Sequence, residues 1–270
     1  MPCKPLVSVM SRYVLPVAIV ALAAAGRSDA QTPPQENRWE ATIGRFEAQD
    51  RQASPPEQGI LFVGSSSIVG WDVKKHFPDL PVINRGFGGS QIADSVHFAE
   101  RIVLPYRPKI IVFYAGDNDV ASGKSPQRVL ADYQSFVAKV HRALPETRIV
   151  FIAIKPSISR WQLIDKMREA NALIAAVTEK DQRLAFVDVD KPMLGDDGRP
   201  RGEIFKDDGL HLNAAGYELW SDLVRPHLKL RSCTECGMRI APAARAEKRP
   251  HGLPNLPDPV GAGKLGRQSG

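Results

Sequence analysis

Cysteine is scarce: three residues in 270, of which only Cys233 and Cys236 lie beyond the first 30 positions. That is too few for a disulfide framework, so packing must hold the core. Cys233-Thr-Glu-Cys236 is half a zinc site at best and has no second pair or histidine cluster, so it reads as a local disulfide or two idle thiols. Long apolar runs are missing as well. The run from Tyr13 to Ala25 spans 13 residues, broken only by Pro16, and falls short of the roughly 20 needed to cross a bilayer. An excess of positive charge is absent from the body of the chain. Residues 1–30 carry 3 basic and 1 acidic side chain, residues 229–270 carry 8 and 3, and the remainder holds 25 against 26. A body near neutrality has little with which to release counterions from a phosphate backbone, which sets nucleic acid aside as a partner.

The ends differ from the middle. Lys4 and Arg12, the apolar run, and the small residues Ser28 and Ala30 form the pattern of a secretory signal peptide over 1–30, with cleavage expected after Ala30. The protein is therefore expected to be exported, periplasmic or secreted, without stable membrane insertion once the leader is removed. Residues 31–37 form a polar leader. Residues 232–270 contain 6 Gly and 5 Pro among 39 and little apolar periodicity, so a basic tail over 231–270 is expected to lack fixed structure. The domain proper is expected over 38–230.

Within it, five short β-branched runs alternate with longer segments of helical period. The runs are Ile60 to Val63, Val82 to Asn84, Ile110 to Tyr114, Ile149 to Ala153 and Leu184 to Val187. Their nearly continuous apolar character suits strands buried on both faces, hence a parallel sheet. Between them, Val129, Tyr133, Phe136, Val137, Val140 and Leu144 mark a helix over 126–144. Leu163, Met167, Ala170, Ile174 and Val177 mark another over 159–180, with Ser159 and Gln162 as an expected capping box. A last helix over 213–228 has Asn213 as its cap and turns Trp220, Leu223, Val224 and Leu228 inward. The alternation predicts an α/β fold, a three-layer α/β/α sandwich on a five-stranded parallel sheet.

Chemistry in such sheets collects at the carboxyl ends of strands. Four segments stand there: Gly64-Ser65-Ser66-Ser67, Arg85-Gly86-Phe87-Gly88-Gly89-Ser90, Ala115-Gly116-Asp117-Asn118-Asp119 and, after a longer connection, Asp207-Asp208-Gly209-Leu210-His211. His211 differs from the other histidines. His76, His97, His141 and His227 lie within or at the ends of helices, and His251 lies in the tail. His211 follows Asp208 by three residues, so one turn can bring the carboxylate to one ring nitrogen and leave the other free. A turn cap satisfied by its neighbour is the plainer alternative. Ser66 opens a helix, where free amides favour a developing anion, although serines there often serve only as caps. The Gly88-Gly89 turn and the Asn118 side chain add hydrogen-bond donors suited to an oxyanion hole.

These blocks, in this order, resemble those of the SGNH or GDSL hydrolases, and are similar in particular to bacterial esterases and platelet-activating-factor acetylhydrolase catalytic subunits. The resemblance spans about residues 58–228. It implies a flavodoxin-like SGNH hydrolase fold and a serine esterase acting through an acyl-enzyme on carboxylic esters, with short or acetyl acyl groups favoured. It implies Ser66 as nucleophile, His211 as base and Asp208 as its orienting partner, with Ser66, Gly89 and Asn118 forming the oxyanion hole. No cofactor or metal is implied, and the partner is a small-molecule, carbohydrate or lipid ester. Ser65 stands where the family has an acidic residue, leaving three adjacent serines and an open register; Asp207 competes with Asp208 but lacks the spacing. Walls of the pocket are expected near Phe87 and from Ser157 to Trp161.

Other readings share some of these features. An α/β-hydrolase elbow requires a second glycine that Gly64-Ser65-Ser66-Ser67-Ile68 lacks. A secreted, non-catalytic carbohydrate- or lipid-binding module on the same sheet is the alternative from a different class. Gly86-Phe87-Gly88-Gly89 fails the spacing of a phosphate loop. The acidic pairs Asp117/Asp119, Asp188/Asp190 and Asp196/Asp197 read as solvated loops more readily than as sites for a hard cation.

Overall fold

The computed structural model describes residues 38–229 and Met1. The leader, the Cys233/Cys236 pair and the tail lie outside the described residues. Five parallel strands, β1 (Ile60–Gly64), β2 (Val82–Gly86), β3 (Ile110–Tyr114), β4 (Arg148–Ile152) and β5 (Leu184–Val187), form one sheet in the order β2-β1-β3-β4-β5. Register is in phase along the centre: Ile60 stands beside both Val82 and Ile110, and Gly64 beside Gly86 and Tyr114.

Each strand feeds two cores because successive side chains point to opposite faces. Leu61, Val63, Ile111, Phe113, Ile149 and Phe151 pack under α1 (Glu40–Gln52), α4 (Ile92–Ile102), α6 (Pro126–Ala143) and α7 (Ile164–Thr178). Ile60, Phe62, Val112, Tyr114, Val150 and Ile152 face α2 (Ser66–Val69), α3 (Val73–His76) and α8 (Ala214–Val224). This is the three-layer α/β/α sandwich read from the sequence, with the short helix α5 (Asp117–Ala121) after β3. Among the described residues no helix is long and apolar enough to cross a membrane.

Most helix boundaries fall within a residue or two of the expected ones. Asn213 caps α8 by accepting from the Gly216 amide at 3.1 Å. The last one ends early, since α8 stops at Val224 and Arg225–Leu228 is a 3-10 turn. The segment 159–180 departs further. It starts as a 3-10 turn, Trp161–Leu163, and α7 begins only at Ile164 with Leu163 at its N-cap and no side-chain cap. Ser159 does not cap it. Its amide donates instead to the Gly209 carbonyl at 3.1 Å, tying this loop to the one that carries His211. Helix α1 was not read from the sequence, although Trp39, Ile43 and Phe46 have helical spacing and pack on the core.

The sheet order reverses direction at β1, since β2 lies on one side and β3 on the other. Such a switch point leaves a crevice beyond the strand ends. The segments following β1, β2 and β3 meet there.

Candidate active site

Gly64 ends β1 at φ +141, and a Cβ on it would lie 1.8 Å from the Tyr114 carbonyl oxygen. Only glycine allows the chain to turn this close to β3, and the Ser65 amide then donates to that same oxygen at 3.0 Å. The turn launches α2, only four residues long, whose contribution at this point is individual amides more than a macrodipole.

Of the three adjacent serines, Ser65 and Ser67 are fully buried; among the described residues the Ser65 hydroxyl has no hydrogen-bond partner, and the Ser67 hydroxyl lies against Tyr114. The Ser66 Oγ alone reaches His211, at 2.9 Å from Nε2. On the other side of the ring, Nδ1 lies 2.6 Å from Asp208 Oδ2. Asp208 Oδ1 accepts from the Leu210 and His211 amides, each at 2.9 Å. One carboxylate thus fixes both the loop and the ring. The His211 side chain, followed by the two amides, holds the Asp208 carboxyl far below the usual carboxylate range. The plain turn-cap reading of Asp208 is therefore half of what it does. Asp207 makes none of these contacts.

Gly88 and Gly89 follow β2. A Cβ on Gly88 would stand 4.0 Å from the Ser66 Cβ, so the turn passes directly beside the serine. Gly89 has φ +73, a left-handed conformation that favours glycine. Among the described residues, neither the Ser66 amide nor the Gly89 amide has an acceptor. The Asn118 Nδ2 donates one hydrogen to the Ser90 carbonyl at 3.0 Å, and its second has no acceptor among the described residues. Ser66, Gly89 and Asn118, the expected oxyanion donors, thus carry unspent N–H groups at the ends of three neighbouring strands.

In 62–219 the chain matches the model of the GDSL-like lipase/acylhydrolase family. The chain belongs to that family, the SGNH hydrolases. It is 27% identical over 199 residues to the platelet-activating factor acetylhydrolase IB subunit alpha1 of Homo sapiens, covering 69% of this chain and 82% of that one. Among solved structures, it resembles a GDSL-like lipase from Bacteroides thetaiotaomicron with TM-score 0.59 and 19% identity, over 70% of this chain and 97% of that one. It also resembles an acetylxylan esterase from Geobacillus stearothermophilus, with TM-score 0.52 and 13% identity, over 65% and 96%. These two likenesses are of fold.

Of the expected walls, the Phe87 side chain itself is core, fully buried and edge-on to Trp39 and Phe98 with ring centroids 5.7 and 5.9 Å away, while the Gly88-Gly89 turn after it stands beside Ser66. Among the described residues, Val69 and Ile158 are exposed apolar side chains, and Ile158 lies in the expected segment 157–161. One sequence expectation needs correction: Asp117 and Asp119 are not solvated. Both are buried, Asp119 on Lys124 at 2.8 Å and Asp117 between Lys155 and Arg160. Of the other acidic residues, Asp190 pairs with Arg168, while Asp188 and Asp197 accept from nearby amides. Among the described residues, no group of three or more His, Cys, Asp or Glu could hold a metal ion.

The residues missed by sequence reasoning were Trp39 and Lys155, together with the contact of Arg160 to Asn118, although Arg160 lies in the segment 157–161 expected as a wall. The Trp39 indole donates to the Gly88 carbonyl at 2.9 Å and anchors the glycine turn from α1. None of the three has a motif; each acts across tens of residues of chain.

Proposed function

We propose that this hydrolase is a serine esterase that removes small acyl groups, acetyl above all, through an acyl-serine intermediate. The observation that carries the reading is the unbroken chain Asp208–His211–Ser66, with both ring nitrogens engaged in the sense that catalysis requires. His211 Nε2 takes the Ser66 proton as Oγ attacks the ester carbonyl. The Ser66 and Gly89 amides and the free Asn118 Nδ2 hydrogen receive the tetrahedral oxyanion. The imidazolium, steadied by ionised Asp208, returns the proton to the departing alcohol, and water repeats the sequence on the acyl group.

Two observations support the substrate class. The human relative at 27% identity is an acetylhydrolase by name, which favours a two-carbon acyl group. His211 is one-third exposed and Asp208 about half exposed, so the site opens on the rim of the sheet and leaves room for a large alcohol such as a carbohydrate or lipid. The leader read in residues 1–30 supports action outside the cytoplasm.

The test is a panel of esters graded in acyl length, with acetylated sugars alongside, assayed on wild type and Ser66→Ala and paired with fluorophosphonate labelling. Rates are expected to peak at acetyl, and the label to require Ser66. A wild-type protein that takes no label and turns over none of the panel would return the chain to the binding-module class.

A further inference from the structure

Asn118 can present a donor to an oxyanion only in one of its two amide orientations. Flipped by a half-turn, Oδ1 would face the site and repel the charge that Nδ2 is meant to stabilise. Two neighbours select between the orientations. The Ser90 carbonyl accepts from Nδ2 at 3.0 Å, and the Arg160 Nη2 donates to Oδ1 at 2.9 Å. A flip would set the amide NH2 against guanidinium hydrogens and Oδ1 against a carbonyl oxygen, so both contacts oppose it.

Arg160 is itself held. Its Nη1 stands 3.2 Å from Asp117 Oδ2, close enough for an ion pair though not aligned as a hydrogen bond. The Asp117 side chain is 3% exposed, and its Oδ2 also accepts from Lys155 Nζ at 3.3 Å. Lys155, 1% exposed, donates in addition to the Tyr114 hydroxyl at 3.1 Å. Asp117 Oδ1 accepts from the Asn118 amide at 3.0 Å, so one buried carboxylate grips both the backbone and, through Arg160, the side chain of Asn118. Burial pushes the Asp117 carboxyl up, but Lys155 and Arg160 more than offset it and keep the group ionised.

We propose that Arg160 is a positioning residue of the oxyanion hole: seated on the Asp117–Lys155 pair, it locks the Asn118 amide with Nδ2 toward the oxyanion and polarises that N–H. The inference rests on the esterase reading above and names a member of the same site. A planar fork suits the task, because one nitrogen bonds Oδ1 while the other stays over Asp117.

The test is a four-member cycle on para-nitrophenyl acetate: wild type, Arg160→Met, Asn118→Ala and the double variant, each checked for folding by its thermal midpoint. Arg160→Met is expected to lower kcat about 10- to 100-fold with KM changed by less than about twofold, and to cost less than about threefold once Asn118 is alanine. Arg160→Lys keeps a cation on Asp117 and is expected to fold normally with kcat between the other two; it replaces Arg160→Met in the cycle if that variant does not fold. Unchanged kcat, or an equal loss with and without Asn118, would overturn the role of Arg160 and leave the esterase reading standing. A wild-type protein inactive on the ester and unlabelled by fluorophosphonate would overturn both.

Discussion

The Ser66 hydroxyl and the His211 imidazole meet at 2.9 Å although they stand 145 positions apart in the chain. Of the three consecutive serines, only the middle one makes this contact, because the glycine turn after β1 and the first residue of α2 aim it along the rim while its neighbours point into the core.

Ser66→Ala is therefore expected to abolish ester turnover, by about 10⁴-fold or more. Ser65→Ala and Ser67→Ala should keep activity within a few-fold, since each removes a buried hydroxyl that does not reach His211. Steady-state kinetics on a short aryl ester separates the three. Loss of activity in Ser65→Ala alone would move the nucleophile.

Asp208→Asn isolates one of two jobs. The asparagine oxygen still accepts from the Leu210 and His211 amides, so the loop should hold. Its NH2 cannot accept from the His211 Nδ1–H, so the imidazole is driven toward the tautomer that cannot take the serine proton. The expected result is kcat lower by about 10²- to 10⁴-fold with an unchanged thermal midpoint. Wild-type kcat in this variant would remove Asp208 from the reaction.

Asp208 should stay ionised far into acid, because its hydrogen bonds from His211 and from the two amides hold its carboxyl far below the usual carboxylate range. Its carboxyl carbon, followed by NMR, is expected to show no protonation near the ordinary Asp value of about 3.9. Protonation at that ordinary value would show that these hydrogen bonds do not hold the carboxylate.

Gly64→Ala should damage the fold as well as the site. The added Cβ meets the Tyr114 carbonyl oxygen at 1.8 Å in a left-handed backbone, and two central strands would have to separate. A loss of more than about 4 kcal/mol is expected by urea denaturation, placing the change among the rare severe ones. A near-native midpoint would show that β1 can shift at no cost.

His141 adds a stability term on the acid side of neutrality. Burial, opposed by its contact with the Thr147 carbonyl at 2.9 Å, lowers its pKa in the folded protein. The unfolded chain then takes up the proton first, near the ordinary value of about 6.5, so stability is intact above that pH and declines as pH falls through it. His141→Gln is expected to lessen the fall in urea midpoint between about pH 7.5 and 5.5 relative to wild type. An identical fall in both proteins would assign it to other groups.

Much of this molecule was legible before any coordinates. The five strands declared themselves because a sheet buried on both faces requires unbroken apolar runs, and α6 and α8 because a one-sided helix requires a stripe. The motif segments could be placed because loops after parallel strands gather at one edge. Asp208 and His211 were readable as a pair because three residues span one turn, a local relationship.

What the chain alone could not decide was everything that depends on two distant segments meeting. Which of three serines reaches His211 follows from the Gly64 turn packed against Tyr114, a contact between different strands. That the Phe87 side chain is core follows from Trp39 and Phe98 packing edge-on against it. Asp117 looked like one more acidic loop residue until the fold buried it between Lys155 and Arg160, because charge pairing across some 40 positions leaves no periodic trace in a sequence. Composition and spacing determine which faces must leave water; only the closing of the sheet determines which polar groups are carried in with them and must find partners there.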